Sequence, residues 1–140
     1  MSAKQTIEES LHCLLIQNGY EKTTYQQVSK LSGYTRTLVQ HHLPTKKHFA
    51  TSFYVRILEL TSECLSNHGI EHDSAGPMAY GHYVGQISIA FLQMDESMRR
   101  LTAEMLEYRS IGKMFIDIQR NHTNSHAERR SYKGKLSVYS

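Results

Sequence analysis

Apolar residues at Ile7, Leu11, Leu14 and Leu15 recur at i, i+4, i+7 and i+8, which draws a stripe down one side of a helix. Asn18-Gly19 supplies a left-handed stop, so a first helix is expected over residues 4–18. Thr24 stands three residues before Gln27, the spacing at which a hydroxyl and an amide satisfy each other's orphan backbone donors. A short second helix begins there, with Val28 and Leu31 on its apolar face. Ser32-Gly33-Tyr34 reads as a tight turn, after which Thr35 caps a third helix that runs to His42 and is ended by Pro44. Thr45 caps a long fourth helix whose Phe49, Phe53, Ile57, Leu60 and Cys64 fall at helical spacing, closing near residues 67–69.

A polar linker, "SNHGIEHDSAGP", follows, and Pro77 suits the first position of a fifth helix. On it Tyr80, Tyr83, Val84, Ile87, Phe91 and Met94 share a face, Gly81, Gly85 and Ser88 form a strip of small residues, and Ile89 leaves few directions polar. This helix is expected to be central and mostly buried. Asp95 caps a sixth helix with Met98, Leu101 and Met105 inside. Ile111, Met114, Phe115 and Ile118 describe a seventh, its phase offset across residues 110–112. The pattern is therefore all-α. Apolar runs stop at four residues, as in Cys13-Leu14-Leu15-Ile16, too short for a signal-peptide core or a membrane span, so a cytoplasmic protein without membrane contact is expected.

Two short helices with a glycine turn between them, and a long helix next, make a helix-turn-helix pattern. The run "GYEKTTYQQVSKLSGYTRTLVQHHLPTKKHF", Gly19 to Phe49, resembles the N-terminal DNA-binding region of the TetR family of transcriptional regulators. The matching positions are Gly19-Tyr20 before Thr23-Thr24, Val28-Ser29, Gly33, Thr35 where Ser is usual, His42, Pro44 and Lys46. With the first helix this covers about a third of the chain. Three positions depart from the family's pattern: Gln40 stands where a phosphate-touching Tyr is usual, Leu43 replaces the aromatic residue before Pro44, and Lys47 replaces an acid. The resemblance implies a TetR-like fold: a three-helix DNA-binding domain over residues 1–48, a shortened helical effector and dimerisation domain over 49–121 sharing the fourth helix, and a polar basic tail over 122–140, a candidate for disorder.

If Val39 and Leu43 face the core, then Arg36, Thr37, Gln40 and His41 lie on the outer surface of the third helix, fit to enter a major groove. Arg36 is the best candidate for a guanine edge, where a bidentate guanidinium contact discriminates by about 1–3 kcal/mol. Gln40 suits adenine or a phosphate. Thr24, Gln26, Thr35 and Lys46 are the remaining candidates, the two threonines and Lys46 because helix N-termini and cations hold phosphates. His42 has two readings, a DNA-side residue as in the family or a histidine packed beside two core positions. No catalytic residue and no cofactor is expected, since the chain holds no phosphate-cradling glycine loop, nucleophile elbow or H-E-x-x-H cluster.

In TetR-like proteins the second half encloses a small, usually apolar effector, which makes Tyr80, Tyr83, Ile87, Phe91, Met98, Met105 and Phe115 candidate pocket residues, with ordinary core as the competing reading. The family generally continues with two further helices that form its dimer interface. Here the tail "QRNHTNSHAERRSYKGKLSVYS" has little apolar patterning, so either the chain is truncated or it dimerises through other surfaces, such as the fifth to seventh helices. A palindromic operator needs two recognition helices about 34 Å apart, which makes a homodimer part of the expectation.

Charge sharpens this picture. The formal net charge of +3 over 140 residues argues nothing by itself, but Lys22 to Leu58 hold six Lys or Arg and not one Asp or Glu. A solvated face is the plain explanation; coinciding with the helix-turn-helix pattern, the stretch favours double-stranded DNA. Apolar residues make up 39% of the chain, enough for a packed core. Cys13 and Cys64 each sit among apolar helical positions and are expected to be reduced and buried. Cys64, His68 and His72 are spaced like metal ligands, as are His122 and His126, but Gly69 interrupts the first set and no metal site is expected. The expectation is a DNA-binding regulator, a repressor released by an effector; the alternative is a shortened helical interaction module that has lost operator binding.

Overall fold

The computed structural model describes residues 1–122, which form eight helices and no strand. They are α1 (Ala3–Asn18), α2 (Tyr25–Ser32), α3 (Arg36–His42), α4 (Lys47–Asn67), α5 (His72–Ala75), α6 (Pro77–Leu92), α7 (Glu96–Leu106) and α8 (residues 109–122). The expected all-α class holds. Of the tail expected over 122–140, His122 belongs to α8 and residues 123–140 lie outside the described residues.

Most helix ends are where side-chain chemistry places them. Thr24 and Gln27 close a reciprocal capping box on α2, Thr35 accepts from the Leu38 amide at α3, and Asp95 accepts from the Met98 amide at α7. Thr45 differs: α4 starts at Lys47, and the Thr45 hydroxyl meets His48 Nδ1 at 2.8 Å instead of capping a backbone amide. Gly19 also differs from the expected left-handed cap. Its φ of 86° is positive but its ψ is 177°, a region open in practice only to glycine. The α7 to α8 break falls at Glu107-Tyr108, a little before the expected offset.

One buried cluster runs from Ile7 to Phe115, and α4 is its spine. Towards the N-terminal helices it presents Phe49, edge-on to Tyr25 at 4.9 Å between ring centroids, and Phe53, edge-on to His12. Towards the second half it presents Tyr54, stacked on Phe115 of α8 at 4.3 Å. Ile7, Leu11 and Leu15 of α1 and Val39 and Leu43 of α3 are buried as expected. On this scale of burial, each core side chain contributes roughly 1.5–3 kcal/mol.

Several placements correct the sequence reading. Leu31 is exposed, because α2 is only two turns long and Val28 alone faces the core. Cys13 is exposed and Cys64 half-buried: Cys13 lies two residues beyond Leu11 and so points about 200° away from it around α1. The segment read as a linker contains α5, which buries His72 against the Tyr80 ring. The α6 helix is not central. It buries Tyr80, Val84, Ser88 and Leu92, one stripe at i+4 intervals, while Tyr83 and Ile89, and Met94 just beyond its end, are exposed.

Candidate nucleic-acid interface

Gly33, with φ 79° and ψ 7°, closes α2 in the left-handed region and lets α3 start almost at once. The turn is fastened by its own side chains: Ser29 Oγ donates to the Tyr34 carbonyl at 2.6 Å, and Ser32 Oγ accepts from the Tyr34 amide at 3.3 Å. Tyr25 adds a longer tie, its hydroxyl donating to the Leu43 carbonyl at 2.7 Å, which joins the start of α2 to the end of α3. The two helices are thus held as a pair.

On α3 the apolar side is turned inward at Val39 and Leu43, and Arg36, Thr37, Gln40 and His41 are all exposed. Thr24 and Gln26 on α2, and Thr35, are exposed too; His42 is half-buried, its ring edge-on to His41. Of the six cations in the acid-free stretch, Lys22, Lys30, Arg36 and Lys47 are exposed, and none forms an ion pair with another described residue. Arg56 pairs with Glu59 at 3.4 Å.

Lys46 is placed differently from its neighbours. Its ammonium is half-buried, donates to the carbonyls of Thr23 and Glu21, and lies 5.3 Å and 5.0 Å from the ring centroids of Tyr20 and Phe49. Burial pulls its pKa below the usual lysine range, against the opposing pull of Glu104 and Glu21. These contacts occupy the ammonium within the protein, as a strut under the loop between α1 and α2.

The same loop is gripped from the second half. Glu104 of α7 accepts from the backbone amides of Tyr20 at 2.7 Å and Glu21 at 2.9 Å, one carboxylate oxygen to each. A Cβ on Gly19 would stand 2.6 Å from Glu104 Oε1, so the glycine makes room for the carboxylate as well as for the backbone turn. Tyr108 donates its hydroxyl to Glu21 and packs edge-on to Tyr20, and that hydrogen bond pushes the Tyr108 pKa up to about 12. The lead-in to α2 is therefore set by α4 and α7 together. Sequence reading missed Glu104, because a carboxylate serving amides 84 residues away leaves no local pattern.

The expected pocket residues do not converge. Tyr80, Met105 and Phe115 are core, Ile87 is partly buried, and Tyr83 faces outward. Phe91 and Met98 do meet, in an open groove of about 550 Å³ between α1, α4 and the α6 to α7 turn, floored also by Phe53 and Ile57. His12 and Arg56 stand on its wall. Burial, and then the nearby Arg56, lower His12 to a pKa of about 4, and its Nε2 shares a 2.9 Å hydrogen bond with Ser52. The groove can take an apolar molecule beside a neutral imidazole and a guanidinium.

Cys64, His68 and His72 do not form a ligand set: the His68 ring bonds the Cys64 carbonyl at 2.8 Å, and His72 is buried in α5. Among the described residues no three His, Cys, Asp or Glu side chains are grouped to hold a metal, and no helix is long and apolar enough to cross a membrane. His126 lies outside the described residues. No protein-family model matches the chain, and no curated protein or solved structure is significantly similar to it.

Proposed function

We propose that the protein is a sequence-specific DNA-binding regulator of the TetR type, acting as a homodimer, with α2 and α3 as its helix-turn-helix. The observation that carries the reading is the outer face of α3, where Arg36, Thr37, Gln40 and His41 are exposed on a helix anchored by Val39 and Leu43. A hydrogen-bonding face on a tied pair of helices, amid exposed cations that form no ion pair with another described residue, suits base edges and phosphates. Arg36 reads a base, Gln40 a base or phosphate, and Thr24, Gln26, Lys30 and Lys47 hold the backbone. Lys46 positions the α1 to α2 loop through its contacts with Thr23, Glu21, Tyr20 and Phe49.

Regulation follows as two states of the same network. A small apolar effector in the groove beside Phe91 and Met98 would move α7 relative to α1, and Glu104 would carry that movement to the lead-in of α2. Repression relieved by the effector is the sign proposed. A helical protein-interaction module without operator binding is the second reading, favoured by the exposed Leu31 and by Lys46 being turned inward.

The test is binding to DNA fragments from the protein's own genomic neighbourhood, measured against salt. Arg36→Ala should relax specificity at one position and cost about 1–3 kcal/mol, while Lys47→Ala should weaken all sequences alike and reduce the salt slope by about 1. Absence of binding at low salt, or wild-type behaviour of both variants, would leave the interaction module as the account.

A further inference from the structure

The α3 helix is seven residues long with one fully buried side chain, Val39, so its own hydrogen bonds do not fix its direction. Its two ends are held differently. At the start, Thr35 caps the Leu38 amide, and Ser29 and Ser32 bond the Tyr34 carbonyl and amide, all from neighbouring positions. At the other end the chain offers less. Leu43 closes the helix without a left-handed glycine (φ −127°, ψ 73°), and Pro44 has no N–H to give. That end is reached instead by the Tyr25 hydroxyl, which donates to the Leu43 carbonyl at 2.7 Å from 18 residues away. The ring behind the hydroxyl is set by a third helix: it is half-buried and edge-on to Phe49, itself fully buried near the start of α4. One side chain thus belongs to α2 by its backbone, to α4 by its ring and to α3 by its hydroxyl.

We infer that Tyr25 is a positioning residue of the base-reading face: its hydroxyl sets the pitch of α3 and so decides whether Gln40 and His41, on the second turn, meet their base edges. A swing of about 10° about the turn at Gly33 carries the Gln40 backbone roughly 2 Å, and that of Arg36 roughly half as far. Hydrogen bonds tolerate a spread of only about 0.5 Å in length. The long side chain of Arg36 follows such a swing by changing rotamer, whereas the shorter Gln40 amide and the His41 ring do not. Lys30 and Lys47, on α2 and α4, keep their places. The hydroxyl therefore governs discrimination at one end of the reading face and leaves the phosphate contacts alone. What α3 reads rests on the regulator reading; how α3 is held does not.

The experiment compares the full chain with its Tyr25→Phe variant, which keeps the ring on Phe49 and removes only the hydroxyl, in two measurements. In amide exchange followed by NMR, without DNA, Tyr25→Phe should exchange roughly 10-fold faster or more at residues 39–43 and like wild type at residues 28–35. In binding to a preferred DNA sequence and its single-base variants, Tyr25→Phe should lose discrimination roughly 10-fold at the positions that Gln40→Ala and His41→Ala identify. Discrimination at the position that Arg36→Ala identifies, and the salt slope, should stay as in wild type; a merely structural loss would lower all of them together. Equal exchange at residues 39–43 in the two folded proteins, or equal loss at every base position, would overturn the inference. Should Tyr25→Phe not fold, wild type alone decides: amides 39–43 should be protected as well as those of α2, and exchange there at the rate of an open chain end would overturn it. A wild-type chain with no sequence preference would sink the regulator reading and the base-reading role of Tyr25 with it, while the exchange result still tells whether Tyr25 holds α3.

Discussion

At Lys46 and Lys47, two adjacent lysines have opposite employment. Lys47 is exposed at the start of α4, whereas the Lys46 ammonium sits against two rings and two carbonyls. Lys46→Ala should therefore lower stability by about 1–2 kcal/mol in urea unfolding, the range for a lost charge-assisted hydrogen bond at a half-exposed site. Lys47→Ala should leave the midpoint within about 0.5 kcal/mol of wild type. Equal midpoints for the two variants would remove the strut. His12 has a different signature. Its folded pKa of about 4 lies below the ordinary 6.5, so between these values the unfolded chain binds more protons and stability rises with pH. This contribution is complete above pH 6.5 and is lost as the pH falls towards 4, amounting to up to about 3 kcal/mol. The difference in urea midpoint between wild type and His12→Gln should shrink over that window; a constant difference from pH 4 to 7 would contradict a neutral, half-buried imidazole.

At the scale of the elements, the loop between α1 and α2 depends on a helix that arrives 84 residues later. Glu104→Ala would leave the Tyr20 and Glu21 amides without their carboxylate and should cost about 1–3 kcal/mol, with the largest amide-exchange increase at residues 20 and 21. Uniform exchange changes across all helices would count against a local clamp. This contact also marks the limit of what sequence reading can reach. Caps at Thr24, Thr35 and Asp95, the turn at Gly33 and the inward Val39 and Leu43 are local signals, and the helices lie close to where they were expected. The outward turn of α6, the exposure of Cys13 and the grip of Glu104 are decided by which helix packs where. A sequence as apolar as that of α6 specifies burial, but not by which neighbour. Of the candidate interface, the exposed side of α3 was legible because it is the complement of a short core stripe, whereas the inward role of Lys46 required the rings of Tyr20 and Phe49 to be in place.

For the whole molecule, α4 belongs to both halves. Phe49 and Phe53 serve the N-terminal helices, while Tyr54 meets Phe115 and Thr61 and Leu65 are buried further along. A fragment of residues 1–69 would expose that second side of α4 and lose Glu104, so it should show low amide dispersion by NMR and no cooperative thermal transition. A folded fragment with a sharp transition would mean that the N-terminal helices stand alone. The intact described chain, by the same reasoning, should unfold in one step.

The Glu104 clamp has a further consequence in time. A growing chain extends by about 5–20 residues per second, so the amides at residue 20 wait roughly 4–17 s before residue 104 is even made. During that interval α2 and α3 can form, but their lead-in is not yet held in place. Full ordering of the lead-in to α2 is therefore a late event in the life of each molecule, reached once α7 has been made and has docked.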